Sequence, residues 1–223
     1  AEVPGATAAY DLDGDGQVRT EPRQVGSFTA VRLETAADVA VRVGPAPSVA
    51  VTIDGNLQPH LVTEVKEGVL VIRADANLSP KNDAKVEVAL PELRRLDLDG
   101  AGDVAIEGGA GPLALGLEGS GDLRWRGEAT SLHVSIEGSG DVSLEGKADL
   151  LRAEIEGSGD IRAAKLQAKD AEASVEGSGD IDLFLAGGRL VAKVEGSGDI
   201  RWRGQASVEQ AAVSGSGEIS RRH

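Results

Sequence analysis

The chain has 223 residues, 37 Asp plus Glu against 23 Lys plus Arg, a net charge of −14 and no cysteine. At this length an all-β chain can form one domain that buries roughly 70% of its unfolded surface. The acidic balance repels phosphate backbones and anionic membrane surfaces, which argues against nucleic acid as a partner, and the lack of Cys excludes disulfides and thiolate metal sites. The longest stretch without a charged residue, Val43 to Ile53, is 11 residues, and a spanning helix needs roughly 20 apolar ones.

In chain order, the first feature is an N-terminal tail, residues 1–23. It starts AEVPGATAAY with neither Met nor a basic, apolar leader, as expected of a processed and exported chain. Its DLDGDGQVRTEP segment places Asp11, Asp13 and Asp15 at positions one, three and five of a calcium-type loop, Gly16 at six and the Gln17 carbonyl at seven. Position twelve is Pro22 where a bidentate Glu is wanted, and Glu21 is displaced by one. Calcium and a plain acidic turn are therefore the two readings of this loop.

Residues 24–98 read as irregular strands: VAVRV (39–43), VAVTI (49–53), VLVIR (69–73) and VEVAL (86–90) each alternate apolar and other positions. ETAADV at Glu34 to Val39 is a worn copy of a later motif, with Asp38 in its acidic place. Loops at Gly44 to Ser48 and Ala74 to Asp83 are the segments expected to cap an open end.

From residue 99 to 223 the sequence is periodic. EGSGD occurs five times, beginning at Glu118, Glu137, Glu156, Glu176 and Glu195, with DGAGD before and SGSGE after. The acidic ends, Asp103, Asp122, Asp141, Asp160, Asp180, Asp199 and Glu218, are 19, 19, 19, 20, 19 and 19 residues apart. A fixed short period signals stacked repeats. Within one period Leu123 and Trp125, then Leu132, Val134 and Ile136, alternate with polar residues, so each repeat holds two half-buried strands. Two short strands cannot bury their apolar side alone, and a parallel β-solenoid with turns of about 19 residues is the economical solution.

Gly119 and Gly121 are expected at corners, and Gly127, Gly146 and Gly204 after the first strand of a turn. Trp125 and Trp202 fall in an inward column with Leu144, Ala163 and Leu183, which reads as core filling. The 20-residue repeat, IRAAKLQAKDAEASV, predicts a bulge near Ala164 to Ala168.

The lead-in GSFTAVRLETAADVAVRVG, the segment VTIDGNLQPHLVTEVKEGVLVIRA, the link VEVALPELRRLDLDGAGDV and the GSGD turns together resemble the auto-transporter adhesin head GIN domain family of bacteria. The resemblance covers roughly residues 24 to 219. It implies an exported, periplasmic or cell-surface protein with a right-handed β-solenoid and no established enzymatic activity, and it carries over no site residue.

Stacking would align Asp122, Asp141, Asp160, Asp180 and Asp199 in one column and the EGSGD glutamates in another. Neighbouring charges at a strand spacing of about 4.8 Å repel by roughly 0.9 kcal/mol in bulk water. Either each Asp accepts backbone N–H groups in its own corner, or cations such as calcium sit between rungs. The three histidines, His60, His133 and His223, are read as structural, and no GxSxG, HExxH or Walker string is present. The leading expectation is a non-catalytic binding or adhesion protein whose partner is a surface protein or glycan. The alternatives are a polysaccharide hydrolase or lyase gripping acidic chains through Arg124, Arg126, Arg162, Arg201 and Arg203, and an envelope protein that self-associates through a C-terminal strand edge, Ala211 to Ile219.

Overall fold

The computed structural model describes residues 10–223, so the first nine residues of the N-terminal tail lie outside the described part. It is a stacked β-solenoid of about seven turns. In the regular part each turn is one long bent strand, such as Leu123–Gly138 or Val142–Gly157. Leu123, Trp125 and Ala129, then Leu132, Val134 and Ile136, are buried, so each arm keeps a period of two and the inward phase shifts by one residue at the bend between Ala129 and Leu132.

Successive turns pair in parallel and in register: Leu123 with Val142, Ile136 with Ile155, Glu137 with Glu156 and Gly138 with Gly157. Equivalent positions of successive turns therefore stack along the axis. One interior column runs Leu33, Leu98, Leu117, Ile136, Ile155, Val175, Val194, through strands that are each other's neighbours. At roughly 25 cal/mol per Å² such apolar columns supply the main force holding the turns together.

The 20-residue repeat, strand Ile161–Gly177, absorbs its extra residue as predicted. Arg162 pairs with Ser143 but Lys165 with Glu145, so Ala163 and Ala164 stand against Leu144 alone. A second shift against the following turn lies between Ala163 and Gln167, and register is restored by Ala171.

Sequence order and spatial order diverge at the N-terminal end. The chain first lays down a turn from Ala30–Glu34 and Asp38–Val43. It then builds the turn beneath it from Val69–Ala74 and Lys85–Leu90, and only afterwards the turn above from Arg95–Gly100 and Val104–Glu107. The excursion forms the cap. Ser48–Asp54 runs antiparallel to Lys85–Leu90, Leu61–Lys66 antiparallel to Val69–Ala74, and Val18–Pro22 antiparallel to Ser48–Asp54. A 3-10 helix, Gly55–His60, joins the first two. Capping thus falls mainly to these strands. Of the two loops expected to cap, Gly44 to Ser48 is a connection, and Ala74 to Asp83 contributes strand Asn77–Ser79, which pairs with Asp11–Asp13.

Two buried polar side chains hold this cap. Asp54 accepts the Lys81 N–H at 2.6 Å and the Asn82 side-chain amide at 2.9 Å. Burial pushes its carboxyl up, yet the hydrogen bonds from Asn82, Lys81 and Gly16 together hold it below the ordinary value. Gln58 donates to the Arg19 and Val51 carbonyls at 2.8 and 2.9 Å and accepts from Arg23. At the other end, Ile219–Arg221 covers only Ile200–Trp202. Among the described residues no strand lies on the outer edge of 207–215, where Val208 and Val213 are 46% and 45% exposed.

Candidate functional site

The EGSGD corner is built by contact between turns. The Ser139 and Gly140 N–H groups both reach the Gly119 carbonyl of the preceding turn, at 3.1 and 3.2 Å, and the pattern repeats up to Ser216 and Gly217 on Gly196. The two glycines of the motif serve different needs. Gly119 has φ +109°, a backbone region that side chains disfavour. Gly121 has no such φ; a Cβ there would lie 2.1 Å from the Gly102 carbonyl oxygen, so it is glycine because the turns approach closely.

The corner leaves one N–H pointing along the axis, that of the Asp itself. It donates to the carboxylate of the preceding turn's Asp: Asp103 to Asp38, Asp122 to Asp103, Asp141 to Asp122, Asp160 to Asp141, Asp180 to Asp160, Asp199 to Asp180 and Glu218 to Asp199, all at 2.8–3.0 Å. The predicted column exists, and Asp38 of the worn motif is its first member. Its acceptors serve the next turn, whereas the sequence suggested their own corner. Arginines meet the second oxygens: Arg162 reaches Asp141 at 2.9 Å, and Arg201 reaches Asp180 at 2.8 Å and Asp182 at 2.9 Å. The Asp160 carboxylate satisfies the part-buried Asp180 N–H, so Asp160→Ala is expected to cost about 1–2 kcal/mol in a chemical melt. Asp160→Asn, which retains an acceptor oxygen, should cost less than half of that.

Beside this column the EGSGD glutamates align without such links. Glu118 and then Glu156 hold the Glu137 carboxyl above its ordinary value by like-charge repulsion. A raised folded-state pKa means that the folded protein keeps its proton to higher pH than the unfolded chain. The repulsion therefore costs stability at neutral pH and is relieved as pH falls toward the ordinary value of 4.5. Glu137→Gln should melt slightly above the parent at pH 7, with the gap closing on acidification or added salt. Between the two columns, a Gly-Ser pair from each turn lines a shallow groove of about 1090 Å³ running from Gly119 to Ser216.

The N-terminal acidic residues occupy a strand and a turn of the cap. Asp11 and Asp13 lie on strand Asp11–Asp13, and Asp11 accepts from the Asn77 amide at 3.0 Å. Asp15 accepts the Gln17 N–H at 2.8 Å, and the Gln17 carbonyl accepts the Gly55 N–H at 2.8 Å. Among the described residues no three His, Asp or Glu side chains are grouped so as to hold a metal ion. His60 pairs with Asp75 at 2.8 Å and His133 with Glu154 at 3.0 Å, both in partly exposed surface contacts. Sequence reasoning missed Asp54 and Gln58, because an Asp before Gly-Asn reads as a turn residue until its burial is known.

The family model described as "Putative auto-transporter adhesin, head GIN domain" matches residues 27–206. The chain belongs to this family. Among solved structures, the head GIN domain is similar to a "putative adhesin" of Bacteroides fragilis, at 25% identity and TM-score 0.85, covering 95% of this chain and 100% of that one. It is also similar to a "putative lipid binding protein" of Parabacteroides distasonis, at 26% identity and TM-score 0.80, covering 96% and 100%. A "putative adhesin" of Parabacteroides merdae shares the fold at 19% identity and TM-score 0.76, covering 96% and 99%. A comparison with curated proteins finds no match. No helix of the described residues is long and apolar enough to cross a membrane.

Proposed function

We propose that this head GIN domain is an exported, non-catalytic binding scaffold of the periplasm or cell surface that presents its long faces to a surface glycan or protein. The carrying observation is the Asp column. One oxygen of each carboxylate is committed to the next turn's backbone, and arginines meet the second oxygens of Asp141 and Asp180, so these groups act as structural links. A glycosidase instead needs one carboxyl kept protonated and a second free to attack or to activate water. The adhesin names of the family and of the B. fragilis neighbour agree with display.

A glycan array read for retention, together with a reducing-end assay on the retained glycans, tests this reading. Retention without new reducing ends is the expected result. Turnover that disappears in Asp160→Asn would replace it with the hydrolase or lyase reading. The DLDGDG loop is proposed as a corner of the cap, with its oxygens used by Asn77, Gln17 and Gly55. Melting curves in calcium and in chelator should then coincide, and a calcium-dependent rise lost in Asp13→Asn with Asp15→Asn would restore it as a metal site.

The edge at 207–215 favours a second reading, self-association. An unpaired strand with exposed Val208 and Val213 is a template for pairing. Light scattering should show size increasing with concentration, and Val213→Lys should abolish the increase. A concentration-independent size removes this reading.

A further inference from the structure

On the outer face of the first half of the turns, one groove of about 540 Å³ collects cations in an otherwise acidic protein. Arg124 and Arg162 occupy one outward column, separated by Ser143, and Arg126 and Lys165 occupy the next, separated by Glu145. At the spacing of parallel strands the two members of each pair stand roughly 10 Å apart, so the four form the corners of a rectangle two turns long. Between them lie Ser143 and Glu145, Ala164 stands beside Lys165, and Ala105 and Glu107 border Arg124 and Arg126 on the preceding turn. Arg126 is 3.8 Å from Glu145 and Arg162 is paired with Asp141. Among the described residues, Arg124 and Lys165 have no carboxylate within 4.0 Å.

The fourth corner depends on the one departure from the 19-residue period. In a turn of ordinary length, the residue three positions after Arg162 would fall in the inward phase of the alternation. The extra residue at Ala163 and Ala164 shifts the register so that Lys165 stands opposite Glu145, on the outside. Bulges that re-aim a side chain are a recurrent feature of binding sites. Here the bulge and the cation cluster coincide, although neither is needed to stack the other turns.

We propose that this groove binds an anionic glycan, with Arg124, Arg126, Arg162 and Lys165 contacting carboxylate or sulfate groups spaced along a linear chain. The proposal rests on the binding-scaffold reading and names its ligand class. A linear polymer suits the site because the cations repeat along the solenoid axis on an open face, and guanidinium groups pair with planar carboxylates in two-pronged fashion. The overall charge of −14 restricts attraction to this patch and opposes nucleic acid, whose dense phosphates would meet the acidic columns of the adjoining EGSGD corner.

The test is calorimetric titration with polygalacturonate at low salt, with neutral dextran as control. The proteins are the parent, Arg124→Gln with Lys165→Gln, and Arg152→Gln. Arg152 lies on the other face and pairs with Glu172. The expected result is binding by the parent that weakens with salt, a loss of roughly tenfold in the double variant, and no change in Arg152→Gln. All three should melt alike, since every replaced side chain is exposed. Absence of polygalacturonate binding by the parent, or an equal loss in both variants, overturns the assignment. Retention of neutral glycans on the array in that case would leave the scaffold reading standing, whereas an array with no retained glycan would remove both.

Discussion

Gly159→Ala should destabilise the protein by about 3 kcal/mol or more, while Ser158→Ala next to it changes stability by less than about 0.5 kcal/mol. Gly159 is buried in the corner, and a Cβ there would lie 2.0 Å from the Gly140 carbonyl oxygen and 3.1 Å from an Ile136 methyl. No rotamer relieves this, because the nearest atom is backbone. The turn would have to move away from its neighbour, stretching the bonds from Ser158 and Gly159 to the Gly138 carbonyl, now 3.0 and 3.1 Å. The Asp160 link would be stretched with them, so the damage would spread beyond the mutated corner. Ser158 is exposed and its hydroxyl makes no intramolecular bond that the corner relies on. Urea titrations of the two variants check the contrast, and equal midpoints would show that the corners have slack.

Trp125→Ala should cost about 3–5 kcal/mol, the ordinary range for truncating a buried aromatic. Trp125 is 1% exposed, stands between Ile106 and Leu144 in its column, and donates its ring N–H to the Gly108 carbonyl at 3.1 Å. Truncation opens a cavity with stacked turns on both sides, which cannot collapse without bending both, and it leaves the carbonyl without its donor. Trp202 is the comparison. It sits in the same column near the C-terminal end, 8% exposed, with the Arg221 guanidinium 5.2 Å from the ring centroid. Its loss can be absorbed by movement of the short strand Ile219–Arg221, so Trp202→Ala should cost roughly half as much. If the two cost the same, the interior is not limited by stacking on both sides.

Much of this architecture is legible in residue spacing. The 19-residue period sets the register, because identical letters stack only when each turn returns to the same angle, and so the inward tryptophans, the Asp column and the bulge near Ala164 all follow from it. The order of the first turns does not. VLVIR at 69–73 and the strand at Ala30–Glu34 carry the same alternation, and alternation states which face is buried without stating which strand lies alongside. The Asp column shows the same boundary at finer scale. Spacing puts Asp141 beneath Asp160, but only the geometry of the corner, where the Ser and Gly donors are already used by the Gly carbonyl, leaves the Asp160 N–H for the Asp141 carboxylate. At the N-terminus the Asp11 to Gln17 spacing fits a metal loop and a strand-then-turn equally well. Asp54 is illegible for a further reason, since its donors, Lys81 and Asn82, are more than 25 residues away.

EGSGD is a structural corner whose carboxylates bond the next turn's backbone, and hydrogen exchange at the Asp180 amide, in the parent, Asp160→Asn and Asp160→Ala, tests this most directly. Strong protection is expected in the parent, largely kept in Asp160→Asn and selectively lost in Asp160→Ala, with no dependence on calcium. Equal protection in all three, or protection that requires calcium, would contradict it.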